Sequence, residues 1–204
     1  MQEPRADFLF VLILGILSML TPLAIDMYLP AFLNIANDFS VSQEKIQTTL
    51  ALFTFGFAFG QLFWGPLSDS YGRKPIILIG IVVSALVSLG ITQVKHIEHF
   101  YALRFVQGFF GASPAVVTGA LLRDLFAKNE FARQMSMIMI VTMIAPLLAP
   151  VLGGYLTDWF HWHIIFYVLM ALGLICALLV FFKIPETLPL ARRTPLKIGS
   201  ILKV

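Results

Sequence analysis

Six times along this chain a run of roughly twenty residues passes with almost no charge, the length a helix needs to cross a bilayer core about 30 Å thick. The runs cover residues 8–29, 46–63, 75–92, 99–122, 131–156 and 162–182. Helices are the expected form, because open strands would leave backbone polar groups unpaired in lipid. Only 12% of the residues are charged and 59% are hydrophobic, against about 25% charged in an ordinary soluble domain. So few charges cannot clothe a soluble fold of this size. The expected fold class is an all-α membrane protein: a six-transmembrane-helix bundle over residues 8–184, followed by a tail or linker over 185–204. The first run is read as a span rather than a cleaved leader, since Glu3 and Asp7 flank Arg5 and no small-residue cleavage site follows.

Orientation is read from lysine and arginine. On one side fall Arg5, Arg73, Lys74, Arg123, Lys128, Arg133, Lys183, Arg192, Arg193, Lys197 and Lys203; on the other, only Lys45 and Lys95. That asymmetry places both termini in the cytoplasm. Trp159, Phe160 and Trp162 fall at the opposite end, at a depth suited to interfacial aromatics.

Two ionisable residues lie inside runs. Asp26 stands in LTPLAIDMYLPAF, about 4.5 Å short of Leu29 along a helix, and Arg104 stands about 7.5 Å inward from His99. Both occupy the outer half of the bundle. Asp26 either reaches water at the headgroups or faces an internal aqueous cavity, where it binds a proton or a cationic substrate. Arg104 is either a structural partner of a carboxylate or carbonyl, or a fixed positive charge beside a protonatable carboxylate; it cannot carry the proton itself.

Small residues mark contacts and bends. Gly108, Gly111, Ala112, Ala115 and Gly119 recur at spacings of three or four, as a close helix contact requires. In MIAPLLAPVLGGY, Ala145, Ala149 and Gly153 recur every four residues, as do Pro146, Pro150 and Gly154. Two prolines one turn apart free backbone carbonyls and bend a helix, giving either a kinked packing helix or one whose bend closes one end of a cavity. Between the second and third runs, GPLSDSYGRKP reads as a short polar link. Gly65 and Gly72 allow tight turns, Asp69 can accept from a helix N-terminus, and Arg73 and Lys74 form a basic rim; together they suggest a conformational latch rather than an anchor alone.

Other chemistries find no support in the sequence. The link lacks the GKS or GKT ending of a phosphate loop, and no Ser, His and Asp set points to hydrolysis. His96, His99, His161 and His163 sit at the outer ends of runs without strong metal-ligand spacing, and the single Cys176 is lipid-facing or packing filler. No enzyme, cofactor, metal or nucleic-acid partner is expected.

These motifs resemble the Major Facilitator Superfamily, and within it the drug:proton antiporters. GPLSDSYGRKP is similar to the signature between helices two and three at Gly65, Asp69, Gly72, Arg73 and Lys74. RFVQG is similar to the helix-four signature at Arg104, Gln107 and Gly108, which implies proton coupling for Arg104. APLLAPVLGG resembles the helix-five antiporter signature at Pro146, Pro150, Gly153 and Gly154, with alanine where many relatives have glycine before proline. LTPLAIDMYLPAF, with Asp26 and Pro30, and IPETLP narrow the resemblance to the bicyclomycin-resistance (Bcr/CflA) drug efflux family. That family implies export of small-molecule drugs across a bacterial inner membrane in exchange for protons. It also implies twelve spans in two six-helix halves with the cavity between them. The expectation is therefore the N-terminal half, a truncated product or fragment whose partner is the missing C-terminal six-helix half. The alternative is a six-helix membrane scaffold or assembly protein without transport.

Overall fold

A computed structural model describes residues 8–195. The bases Arg5, Lys197 and Lys203 and the end of the expected tail lie outside those residues. Seven α-helices follow one another: α1 Phe8–Asp26, α2 Phe32–Asp38, α3 Gln43–Tyr71, α4 Arg73–Ile91, α5 Ile97–Leu125, α6 Lys128–Trp159 and α7 His163–Lys183. The first two belong to one span, Phe8–Asp38, so six spans are long and apolar enough to cross a membrane. Pro30 explains the interruption. Lacking an N–H, it cannot bond the carbonyl of Asp26 four residues back, and the chain passes through a short 3-10 turn, Leu29–Ala31, before α2.

The second span differs most from expectation. α3 runs to Tyr71, so GPLSDSY is helix rather than link, and Gly65 lies within it. Only Gly72 turns the chain, at φ 106°, and α4 starts at the next residue. The apolar run ends near Phe63 while the helix continues for eight more residues, through Ser68 and Asp69.

α3 lies along α5 and α1 along α6; α4 packs on both α5 and α7. The α3–α5 contact is nearly backbone to backbone. A Cβ added at Gly108 would run into the Phe53 carbonyl, and one at Gly56 into the Phe105 carbonyl. Lipid gives helices no hydrophobic drive to pair, so such proximity supplies the dispersion contacts instead. The expected single stripe on α5 divides accordingly. Gly108 and Ala112 meet α3, Gly111 faces Thr21 and Ser84, Gly119 faces Met135 of α6, and Ala115 is exposed.

Two apolar cores fill the bundle. One gathers Tyr28, Phe53, Phe100, Trp162 and Phe166; the other gathers Leu14, Trp64, Ile77, Leu121, Cys176 and Val180. Cys176 is thus buried packing rather than lipid-facing. Trp162 corrects the interfacial reading: Trp159 and Phe160 are exposed, but Trp162 is 2% exposed.

Candidate functional site

Between the two cores lies a polar layer, and Arg104 stands at its edge, fully buried. Its Nη1 donates to Gln107 Oε1 at 2.7 Å and, with Nη2, reaches the Ala24 carbonyl at 3.4–3.5 Å. Its guanidinium lies 4.4 Å from the ring centre of Tyr28 and 4.5 Å from that of Phe53. Each such contact is worth about 2 kcal/mol when desolvated. Together they offset the roughly 2.5–3.5 kcal/mol that a mid-membrane charge costs on insertion scales. Among the described residues no carboxylate lies within salt-bridge distance of it. Of the alternatives posed by the sequence, the carbonyl partner is present and the ion pair is not.

From Arg104 the hydrogen bonds continue inward. Gln107 Nε2 donates to Ser88 Oγ at 2.7 Å, and Ser88 Oγ donates to the Ser84 carbonyl at 2.9 Å. Gln107, Ser84, Ser88 and Thr21 border a cavity of about 30 Å³, room for two or three waters at about 10–15 Å³ each. Ser84 and Ser88 did not stand out in the sequence, since serine in an apolar run usually bonds its own helix, as Ser88 also does.

Asp26 is the last residue of α1, half-buried. No hydrogen bond or ion pair joins it to another described residue. Arg104 holds the same end of α1 through Ala24, two residues away, without neutralising the carboxylate.

Of the expected latch residues, Asp69, Gly72 and Arg73 come together at the other end of the bundle, and Gly65 does not join them. Arg73, its side chain 8% exposed, donates from Nη1 to Asp69 Oδ1 at 2.5 Å and to Ser68 Oγ at 2.6 Å, and from Nε to Asp124 Oδ2 at 2.9 Å. One guanidinium thereby ties α3, α4 and α5. Asp69 does not cap the helix that follows, contrary to expectation. Glu186 does: its carboxylate accepts the backbone N–H groups of Arg73 at 3.0 Å and Lys74 at 3.3 Å. An anion is needed there, because α4 presents two basic residues to its own positive dipole end. Gly72 leaves room for it, since a Cβ would meet Glu186 and Arg193. The Lys74 side chain points elsewhere and donates from Nζ to the Phe181 carbonyl at 2.7 Å. Glu186→Gln is expected to cost about 1 kcal/mol, seen as a lower unfolding midpoint in detergent, while Lys183→Gln at the exposed end of α7 leaves the midpoint unchanged.

α6 is continuous across Pro146 and Pro150. Its two small-residue rows have different surroundings. Ala145, Ala149 and Gly153 are buried, and a Cβ at Gly153 would run into the Met27 backbone. Pro146 is exposed; Pro150 and Gly154 are half-buried, and a Cβ at Gly154 would come only as near as 4.0 Å to Pro30.

The sequence pattern described as Major Facilitator Superfamily matches residues 14–201. The chain belongs to the Major Facilitator Superfamily. It is 56% identical over its whole length to the bicyclomycin resistance protein homolog of Haemophilus influenzae, covering 51% of that protein. It is 35% identical to the multidrug resistance protein MdtL of Klebsiella pneumoniae, over 89% of this chain and 46% of that one. This superfamily chain thus spans about half the length of the relatives it matches, consistent with the expected N-terminal half. The same holds in three dimensions. A bacterial homolog of the human lysosomal transporter Spinster, inward-facing and unoccupied, superposes with a TM-score of 0.78 at 16% identity, over 100% of this chain and 48% of that one. At that identity the match speaks for the fold alone.

Proposed function

We propose that this superfamily chain forms the N-terminal half of a proton-coupled exporter of small-molecule drugs, set in the bacterial inner membrane with both termini in the cytoplasm. One observation supports the proton-coupled part: Asp26 is a half-buried carboxylate at the broken end of α1, with neither a salt bridge nor a side-chain hydrogen bond from any described residue. An acid so placed can bind a proton or a cationic cargo in turn. Arg104 fixes the backbone that presents it, through Ala24, and adds a positive charge that stays on throughout. The names of the bicyclomycin-resistance and multidrug-resistance relatives support drugs as the cargo.

The second six-helix half is the proposed partner. α6 exposes Met143, Leu147, Val151 and Tyr155, and α3 exposes Phe55 and Phe59. These apolar faces suit lipid at their rims and another bundle along their length. Arg73, Asp69, Asp124 and Glu186 would then hold the cytoplasmic end in one of two forms. Cargo and proton move the balance only in so far as each binds one form better than the other.

The test uses sealed inverted membrane vesicles holding the complete two-half assembly. An imposed proton gradient is expected to drive drug uptake into the vesicles, and a protonophore to stop it. Gradient-independent flux from an assembly shown to be intact contradicts proton coupling. No flux at all from that assembly, with a panel of drugs, favours the scaffold reading.

A further inference from the structure

At the end of the bundle away from Arg73, three ligand-bearing side chains from two distant parts of the chain come together. Asp38 ends α2; His161 lies in the α6–α7 turn and His163 starts α7, on either side of Trp162. His161 Nε2 lies 3.2 Å from Asp38 Oδ2, and His161 Nδ1 lies 2.8 Å from His163 Nδ1. One nitrogen from each ring and one carboxylate oxygen all fall within 4.8 Å of one another. The efflux reading makes no use of this cluster.

We infer that Asp38, His161 and His163 form a binding site for a zinc-like divalent cation, which ties the end of α2 to the α6–α7 turn. A tetrahedral ion with bonds of about 2.0–2.1 Å sets its ligand atoms about 3.4 Å apart. The cluster has to contract by an ångström or so. His161, 59% exposed and outside the hold of the buried indole, is the member with room to turn inward. An ion on His161 Nε2 and His163 replaces the hydrogen bond between the two rings. Two imidazoles with one carboxylate favour late first-row metals; magnesium and calcium prefer all-oxygen sites.

What separates this cluster from scattered surface histidines is the buried indole behind it. Trp162 Nε1 donates to Asp38 Oδ2 at 2.6 Å and so aims the carboxylate. The same ring stacks on His163, with centroids 3.7 Å apart and planes 22° from parallel. Two of the three ligands are thereby oriented by one side chain that is itself 2% exposed. Outer-shell partners of this kind typically contribute about 10–100-fold to metal affinity.

Calorimetric titration of ZnCl2 into the purified, tag-free protein in detergent tests the site. One Zn²⁺ per chain is expected to bind and to raise the unfolding midpoint, with no response to Mg²⁺ or Ca²⁺. Asp38→Asn, which keeps an acceptor for the indole and so preserves the fold, is expected to weaken binding at least tenfold, as is His161→Asn. Trp162→Phe contributes no ligand atom and should still cost about tenfold. Absence of Zn²⁺ binding overturns the inference. So does equal affinity in Asp38→Asn and His161→Asn, which would mean adventitious binding elsewhere.

Discussion

Gly108→Leu is expected to prevent the bundle from forming a stable folded state. The site for a side chain there is already taken by the Phe53 carbonyl, and Gly56 meets the Phe105 carbonyl in the same way on the facing helix. A carbonyl of an intact helix cannot swing aside, so α3 and α5 would have to separate along their length. Separation forfeits the close contact that holds helices together in lipid. Overpacking commonly costs about 1–3 kcal/mol, and a whole leucine against backbone belongs at or above the top of that range. Recovery of monodisperse protein and its unfolding midpoint in detergent provide the measurement. Gly119→Ala is the control: its nearest neighbour would be Met135 Cε at 3.7 Å, an ordinary contact, and the midpoint should hold. A wild-type midpoint for Gly108→Leu would mean that the two helices do not pack as described.

Asp26→Asn is expected to abolish proton-driven efflux by the complete transporter, at least tenfold, without lowering its unfolding midpoint. Asparagine keeps the shape and loses only the ability to ionise. No described partner depends on the carboxylate, so little structural penalty attends the change. Arg104→Lys is the contrasting case. A lysine cannot keep the planar stack on Tyr28 and Phe53 or reach Gln107 and Ala24 together, so stability and transport should fall together. The separation of the two effects at Asp26 is therefore diagnostic. Retained gradient-driven efflux in Asp26→Asn would remove that residue from the coupling step.

Hydropathy alone revealed the six spans, because a bilayer demands long apolar runs whatever the fold. It misjudged the end of α3 by eight residues, because a helix need not stop where its apolar run does, and Ser68 and Asp69 remain helical. Both sides of the α3–α5 contact carry the spacing, Gly108 with Ala112 and Gly56 with Gly60, but spacing on one helix does not name the helix opposite. Long-range polar contacts were the least legible. Glu186 caps α4 from 113 residues away, Asp124 joins Arg73 across 51, and Trp162 finds Asp38 across 124. Nothing local in PET, in RD or in HWH announces those partners. Asp26 and Arg104 stood out because charge is rare in such runs, yet only the fold shows that they do not form a pair.

Water access at Asp26 is the point on which the exporter reading turns. Cys176, the chain's single cysteine, is 2% exposed, so Asp26→Cys introduces the reactive thiol of this half; any cysteine in the other half is replaced beforehand. In the complete transporter, a charged, membrane-impermeant thiol reagent is expected to label that cysteine, and a transported drug to slow the labelling. A cysteine that resists the charged reagent but reacts with a lipid-soluble one would place position 26 in the bilayer and contradict the account.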